Sequence, residues 1–301
     1  MEFAKLHGAG NDYLVMDGRA KTFDWPALAP KLCDYHFGVG SDGIAVIEDS
    51  DVAELRMRIF NPDGSEAEMS GNGIRCFTKY VLESGIMPGQ PDSVNIETGG
   101  GIRIVEPTWE NHLVTGARVS MGEPEFRWKS IPVNTYEASI RDDRELDSNI
   151  AKGLGLTPDQ IFFKGRLLMT GEHKVDVTAV SMGNPNAVQF LKTPVAEFPL
   201  SEVGPLVEWN PAFPTRINYH IVNVISKGEL TVRTWERGAQ ETLASGTGSC
   251  STVVAARLHG LVDDEVIVNV PGGILKVTWK GIGPVYLEGP VARICTGNWE
   301  E

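Results

Sequence analysis

"RIFNPDGSEAEMSGNG" runs from Arg58 to Gly73, and "RTWERGAQETLASGTG" runs from Arg233 to Gly248. The two align without a gap at an offset of 175, which pairs Arg58 with Arg233, Glu66 with Glu241 and Ser70 with Ser245. Weaker matches flank them in the same order: "GNDYLV" from Gly10 against "GNPNAV" from Gly183, and "GGGIRIV" at 99–105 against "GGILKV" at 272–277. Ordered pieces at near-constant spacing indicate an internal duplication, which decides how the rest of the chain is read.

Around the repeats, short β-branched runs bounded by Gly, Pro, Asn or Asp read as strands, among them "DYLVMD", "GIAVIE", "LRMRIF", "HIVNVIS", "LTVRTWE" and "LKVTW". Helical patterns are fewer. "WPALAPKLCDYH" follows Asp24, a natural N-cap, and "GIRCFTKYVLESG" and "GSCSTVVAARLHG" form an equivalent pair, each closed by a glycine. Many strands with one principal helix per half predict an α+β fold in which each half wraps its sheet around its own helix. The first half is expected over 1–122 with a C-terminal strand at 291–301, and the second over 123–290. "RDDRELDSNIAKGLGLTPDQ" at 141–160 has no counterpart in the first half and reads as an inserted helix and loop.

The chain has 301 residues, 42% of them hydrophobic, enough to bury one large core or two medium ones. Its net charge of -13, from 27 Lys+Arg against 40 Asp+Glu, argues against nucleic acid and an anionic membrane surface as partners, and no Lys/Arg run provides a local exception. No apolar run approaches the roughly 18 residues of a membrane span. "MEFAKLHGAG" lacks a basic segment followed by an apolar one, so no secretory signal is expected. Cys33, Cys76, Cys250 and Cys295 are widely spaced, with no CxxC pair and no metal-type spacing. A reduced, cytoplasmic setting is the expectation.

The repeated Ser-Gly-x-Gly stands where each principal helix begins. Helix N-termini carry unpaired backbone N–H groups and the positive dipole end, and glycines let a ligand approach them, which suits a carboxylate or phosphate. The simple reading of Ser70 and Ser245 is N-capping. Two matched entrances facing one another would also suit proton removal from one face of a carbon and its return on the other. Cysteine fits that task, because its reference pKa of about 8.5 falls at helix N-termini. A serine hydroxyl fits poorly without an adjacent base. The places thus suggest two-base racemisation, while the residues in them do not.

Other motifs fail. Cys76 and Ser251 stand where G-x-G-x-x-G needs its last glycine, and Glu68 and Leu243 stand where G-x-S-x-G needs its first. His7, His36, His112, His173, His220 and His259 form no metal-like pair and are expected to be structural or superficial. Cys76 and Cys250 lie within apolar helices and are expected to be small core residues.

"HGAGNDYLVMD" at 7–17, "FNPDGSEAEMSGNGIRCFTKYV" at 60–81, "SMGNPNAV" at 181–188, "RINYHIV" at 216–222, "WERGAQETLASGTGSCSTVVAA" at 235–256 and "VPGG" at 270–273 together resemble the diaminopimelate epimerase family. The resemblance covers nearly the whole chain apart from 138–165. It implies two pseudo-symmetric halves, each a barrel-like mixed β-sheet around a central helix, with the active site in the cleft between them. It also implies cofactor-independent epimerisation of diaminopimelate in lysine and peptidoglycan biosynthesis, with a thiolate and a thiol as base and acid, no metal, and a homodimer as the partner state. The two proton-transfer positions fall at Ser70 and Ser245, where the family has cysteine. Substrate-binding positions carry over as Asn11, Asn61, Asn184, Asn218, Glu236 and Arg237, with the backbone around Gly71–Asn72 and Gly246–Thr247 for the α-carboxylate. Asn186 is a further departure, since the family usually has a site-tuning histidine there. Three explanations fit: an inactive double Cys-to-Ser form, a natural relative with other chemistry (hydroxyproline-type dehydration, or racemisation of another amino acid), and a non-catalytic amino-acid binder.

Overall fold

Strand pairing in the computed structural model follows the duplication register by register. The structure describes the chain except residues 21–22, 137, 140–151, 156, 158–160, 162–164, 168, 170–174 and 301. The insertion expected at 141–160 falls mostly outside the described residues, as does His173. The chain forms two units, Met1–Ser120 with Glu288–Glu301, and Met121–Leu287.

In the first unit, Glu2–Gly8 pairs antiparallel with Asn11–Asp17 and with Ala292–Asn298. Asn11–Asp17 runs parallel to Ile44–Glu48, which pairs antiparallel with Leu55–Phe60. Leu55–Phe60 takes Glu66–Ala67 antiparallel and Val94–Thr98 parallel; Gly101–Glu110 and Leu113–Ser120 then follow antiparallel. The second unit repeats this series with the same senses through Asp176–Ser181, Pro185–Phe190, Asn218–Ser226, Glu229–Glu236, Gln240–Thr242, Glu265–Val270 and Gly273–Thr278. Phe60 opposes Ile44 as Trp235 opposes Tyr219, each residue displaced by 175. Beyond the helix the displacement is 172, since Val94 opposes Val105 as Val266 opposes Val277. The salt bridge of Arg58 to Glu66 is likewise repeated by Arg233 to Glu241, both at 2.8 Å.

Each sheet encloses a helix. Gly71–Glu83 packs against Glu2–Gly8, Asn11–Asp17, Ile44–Glu48, Leu55–Phe60, Gly101–Glu110 and Leu113–Ser120. It is buried on nearly every side, which a helix tolerates only if its polar residues are matched. Lys79 is: its Nζ donates to Glu83 Oε1 at 2.6 Å and to the Val114 carbonyl at 2.7 Å. Gly246–Leu258 packs in the same way inside the second sheet, against Asp176–Ser181, Pro185–Phe190, Asn218–Ser226, Glu229–Glu236 and Gly273–Thr278. Cys76 and Cys250 are fully buried here, in keeping with their reading as core residues. Burial pushes the Cys76 thiol up to about 12, so it is inert.

A second helix lies on the other side of each sheet. Trp25–Cys33, with the Asp24 side chain accepting from Ala27 N–H, packs Leu28, Ala29 and Leu32 against Leu14, Met16, Ile44 and Val46. Its counterpart Leu200–Glu208 was not expected, because Gly204 and Pro205 interrupt the pattern. Packing overrides propensity there: a Cβ on Gly204 would lie 2.5 Å from the Trp235 ring, and Trp235 Nε1 donates to Glu208 Oε2 at 2.8 Å. The helix is the duplicate of Trp25–Cys33 at the same offset of 175, and its Pro205 matches Pro30. Among the described residues, no helix is long and apolar enough to cross a membrane.

Candidate active site

Ser70 and Ser245 occupy equivalent places in their own halves. Both have extended backbone, and both cap the helix that follows, Ser70 Oγ accepting from Gly73 N–H at 3.0 Å and Ser245 Oγ from Gly248 N–H at 3.2 Å. Capping is therefore real at both, as the sequence suggested. The remaining partner differs. Tyr13 donates its phenol to Ser70 Oγ at 2.9 Å, whereas Ser245 donates to Glu236 Oε2 at 3.1 Å. The first hydroxyl oxygen receives two donors; the second has a carboxylate beside it, held in turn by Thr242 Oγ1 at 2.6 Å.

Behind Ser70, a hydrogen-bond chain with a fixed direction runs from a cation to an anion. Arg75, fully buried, donates through Nη2 to Asn72 Oδ1 at 2.8 Å. Asn72 Nδ2 donates to Asn11 Oδ1 at 3.1 Å, and Asn11 Nδ2 donates to Asp42 Oδ2 at 2.8 Å. A guanidinium can only donate and an ionised carboxylate can only accept, so neither amide can turn over. Arg75 also braces the helix entrance through Gly71 O at 2.8 Å and reaches Pro290 O at 3.2 Å. Asn61 takes no part in this chain. It closes its own turn, with Asn61 N–H to Ser65 O at 2.8 Å and Nδ2 to Ser65 Oγ at 3.0 Å, so its placement alone matches the turn reading.

In the second half, Asn218 Oδ1 accepts from Arg237 N–H at 2.8 Å, which turns its Nδ2 toward Asn186 Oδ1 at 3.2 Å. Asn186 Nδ2 donates to the Asn184 carbonyl at 2.7 Å and to Asn184 Oδ1 at 3.0 Å. Asn184 Nδ2 then donates to Thr247 Oγ1, in the helix's first turn, at 3.1 Å. The Arg237 guanidinium itself donates to the Thr215 carbonyl at 2.9 Å. Burial and the neighbouring Arg216 lower its pKa, while Glu208 acts the other way. An anion bound there would relieve that penalty.

Sequence reasoning missed Tyr13, Asp42 and His220. His220 is fully buried, with Nε2 3.0 Å from Asn186 Oδ1 and Nδ1 2.9 Å from Thr234 Oγ1. Its ring lies against the helix entrance, for a Cβ on Gly248 would meet His220 Cε1 at 2.3 Å and Nδ1 at 2.8 Å. Alanine is favoured over glycine inside a helix by about 1 kcal/mol, but overpacking a ring held at both nitrogens costs up to about 3 kcal/mol, so Gly248→Ala is expected to lose about 1–2 kcal/mol net. Equal denaturant midpoints for Gly248→Ala and the parent would contradict this.

Burial pushes the His220 pKa down to about 3, so the folded ring stays neutral over the range in which an unfolded histidine, near 6.5, takes up its proton. The unfolded chain binds more protons there, so this residue's contribution to stability is lost as pH falls below about 6.5. Between pH 7 and pH 5 the parent is expected to lose on the order of 2 kcal/mol more than His220→Gln, read from urea titrations at both pH values. Parallel pH slopes would count against it.

The fold recurs in solved structures. A hydroxyproline epimerase from Agrobacterium vitis aligns with TM-score 0.69 at 14% identity, over 99% of this chain and 91% of that one. A PhzF-family phenazine biosynthesis protein from Bacillus anthracis aligns with TM-score 0.65 at 18% identity, over 99% and 98%. At these identities the likeness speaks for the fold, a two-half α+β architecture with one enclosed helix per half. The sequence goes further. The profile of the diaminopimelate epimerase family matches residues 3–127 and 178–294. The diaminopimelate epimerases of Pelotomaculum thermopropionicum and Acetivibrio thermocellus are each 40% identical to this chain, over 99% of it and over 99% and 98% of their own lengths. The chain belongs to the diaminopimelate epimerase family.

Proposed function

We propose that this chain is built for the cofactor-independent epimerisation of LL-2,6-diaminopimelate to meso-diaminopimelate, and that serine at positions 70 and 245 leaves it catalytically impaired. The observation that carries this reading is the register-matched pair of capped helix entrances, each backed by amides of fixed orientation, in a chain 40% identical to diaminopimelate epimerases. Backbone N–H groups around Gly71–Asn72 and Gly246–Thr247 would hold the α-carboxylate, and Arg237 the distal one, which a guanidinium grips bidentately. Asn11, Asn61, Asn184, Asn218 and Glu236 supply the remaining polar contacts. Two-base transfer then needs one group that takes the α-proton while the electron pair stays on the carbon and its carboxylate, and a second that returns a proton to the opposite face. Thiols do this within reach of neutral pH. The serine pair keeps the caps and the shape and lacks the acidity. We read it as an engineered double replacement of cysteine.

A second reading draws on the Ser245–Glu236 hydrogen bond, which gives that serine the adjacent base the sequence did not reveal, and on Asn186 in place of a histidine. It is a natural relative with other chemistry, such as hydroxyproline-type dehydration or racemisation of another amino acid. The deciding experiment is Ser70→Cys with Ser245→Cys, followed by exchange of the α-hydrogen of diaminopimelate in deuterated solvent. Exchange supports the epimerase. Its absence, together with turnover of a hydroxyproline or another amino acid by the parent, supports the second reading, and binding without turnover by either form marks a non-catalytic amino-acid binder.

A further inference from the structure

We infer that His220 is a positioning residue: its ring fixes the Asn186 carboxamide, and through it the faces that Asn184 and Asn218 present to a ligand. The proton direction is set from both ends. Arg237 N–H, a backbone donor, orients Asn218. The Asn184 carbonyl, a backbone acceptor, orients Asn186 with Nδ2 toward it. Asn186 Oδ1 therefore faces Asn218 Nδ2 and His220 Nε2, and it can only accept. Nε2 must carry the ring's proton, and Nδ1 must accept from the Thr234 hydroxyl. One tautomer satisfies every group, and Asn186 and His220 have no exposed surface at which water could substitute.

The alternative role, a filler of the core, would require only an imidazole-sized apolar ring. Phenylalanine would supply that ring and still rest against Gly248. It would leave Asn186 Oδ1 with Asn218 as its remaining donor, so the carboxamide keeps one of the two contacts that the Asn218–Ser226 strand gives it. Asn184 and Asn218 each bond directly to Asn186, and both would gain freedom. His220 touches the proposed substrate only through these amides.

The ligand part of this inference rests on the diaminopimelate reading, so two measurements keep the claims apart. In the protein as it stands, the side-chain amide resonances of Asn184 and Asn218 are expected to shift in His220→Phe and to return in His220→Gln, which keeps a donor. Calorimetric binding of diaminopimelate is expected to weaken by about tenfold or more in His220→Phe, the worth of one net hydrogen bond, and to stay within about threefold of the parent in His220→Gln. Amide resonances unmoved in His220→Phe would overturn the positioning role whatever binds. Amides that move, in a parent that binds no diaminopimelate, would leave the positioning role standing and remove the substrate reading. If His220→Phe does not fold, His220→Met, which is flexible, fills the space and has no donor, makes the same comparison.

Discussion

With cysteine at both 70 and 245, α-hydrogen exchange of diaminopimelate is expected to rise by about 10⁴-fold or more, since positioned acid–base groups contribute about 10²–10⁴ and two are restored together. The surroundings assign them different resting states. A sulfur at 70 would receive Gly73 N–H and the Tyr13 hydroxyl at a helix N-terminus, all favouring thiolate. One at 245 would face the Glu236 carboxylate, which favours the protonated thiol. The rate should therefore follow a bell in pH, its acid limb from position 70 and its alkaline limb from position 245. Each single revertant should wash deuterium into one face only and invert nothing. The cost in capping is small, about 1 kcal/mol per helix. A double revertant that exchanges no faster than the parent would sink the epimerase reading.

Arg75→Met is expected to destabilise the chain by about 2 kcal/mol. Replacing a whole buried ionic cluster by apolar groups is often harmless, but here only the donor leaves. The buried Asn72 Oδ1 loses its charged donor, which costs roughly 1–3 kcal/mol and is partly offset by relief of the buried charge, while the Gly71 carbonyl keeps its place in the helix ladder and Pro290 is exposed to water. The variant should show a lower urea midpoint with an unchanged slope, and weaker diaminopimelate binding because Asn72 is released. A midpoint within experimental error of the parent would refute the account. At the equivalent position the second half has Cys250, so its entrance is held without this strut.

The fold was legible because a duplication states its own period. The same 175-residue offset that links Ser70 to Ser245 also links Trp25–Cys33 to Leu200–Glu208, and applied to residues 25–33 it would have found the helix that Gly204 and Pro205 concealed. The candidate site was legible as a set of residue types and not as a network. Asn186 meets Asn218 because two parallel strands place them opposite each other, a matter of register that no local pattern announces. His220 was one of six similar histidines until that pairing brought its ring to Asn186. Tyr13 read as one more strand residue, and nothing in the sequence singled out Asp42, because their partners lie 57 and 31 positions away in the chain.

The first unit is made from both ends of the chain, and those ends are neighbours: the Met1 amino group donates to the Trp299 carbonyl, and Glu2 pairs with Asn298. The second unit is thus spliced into the first as a continuous insert. Joining the termini with a short linker and reopening the chain between Ser120 and Met121 would write the two halves one after the other. Such a circular permutant restores the tandem order in which a duplicated gene begins.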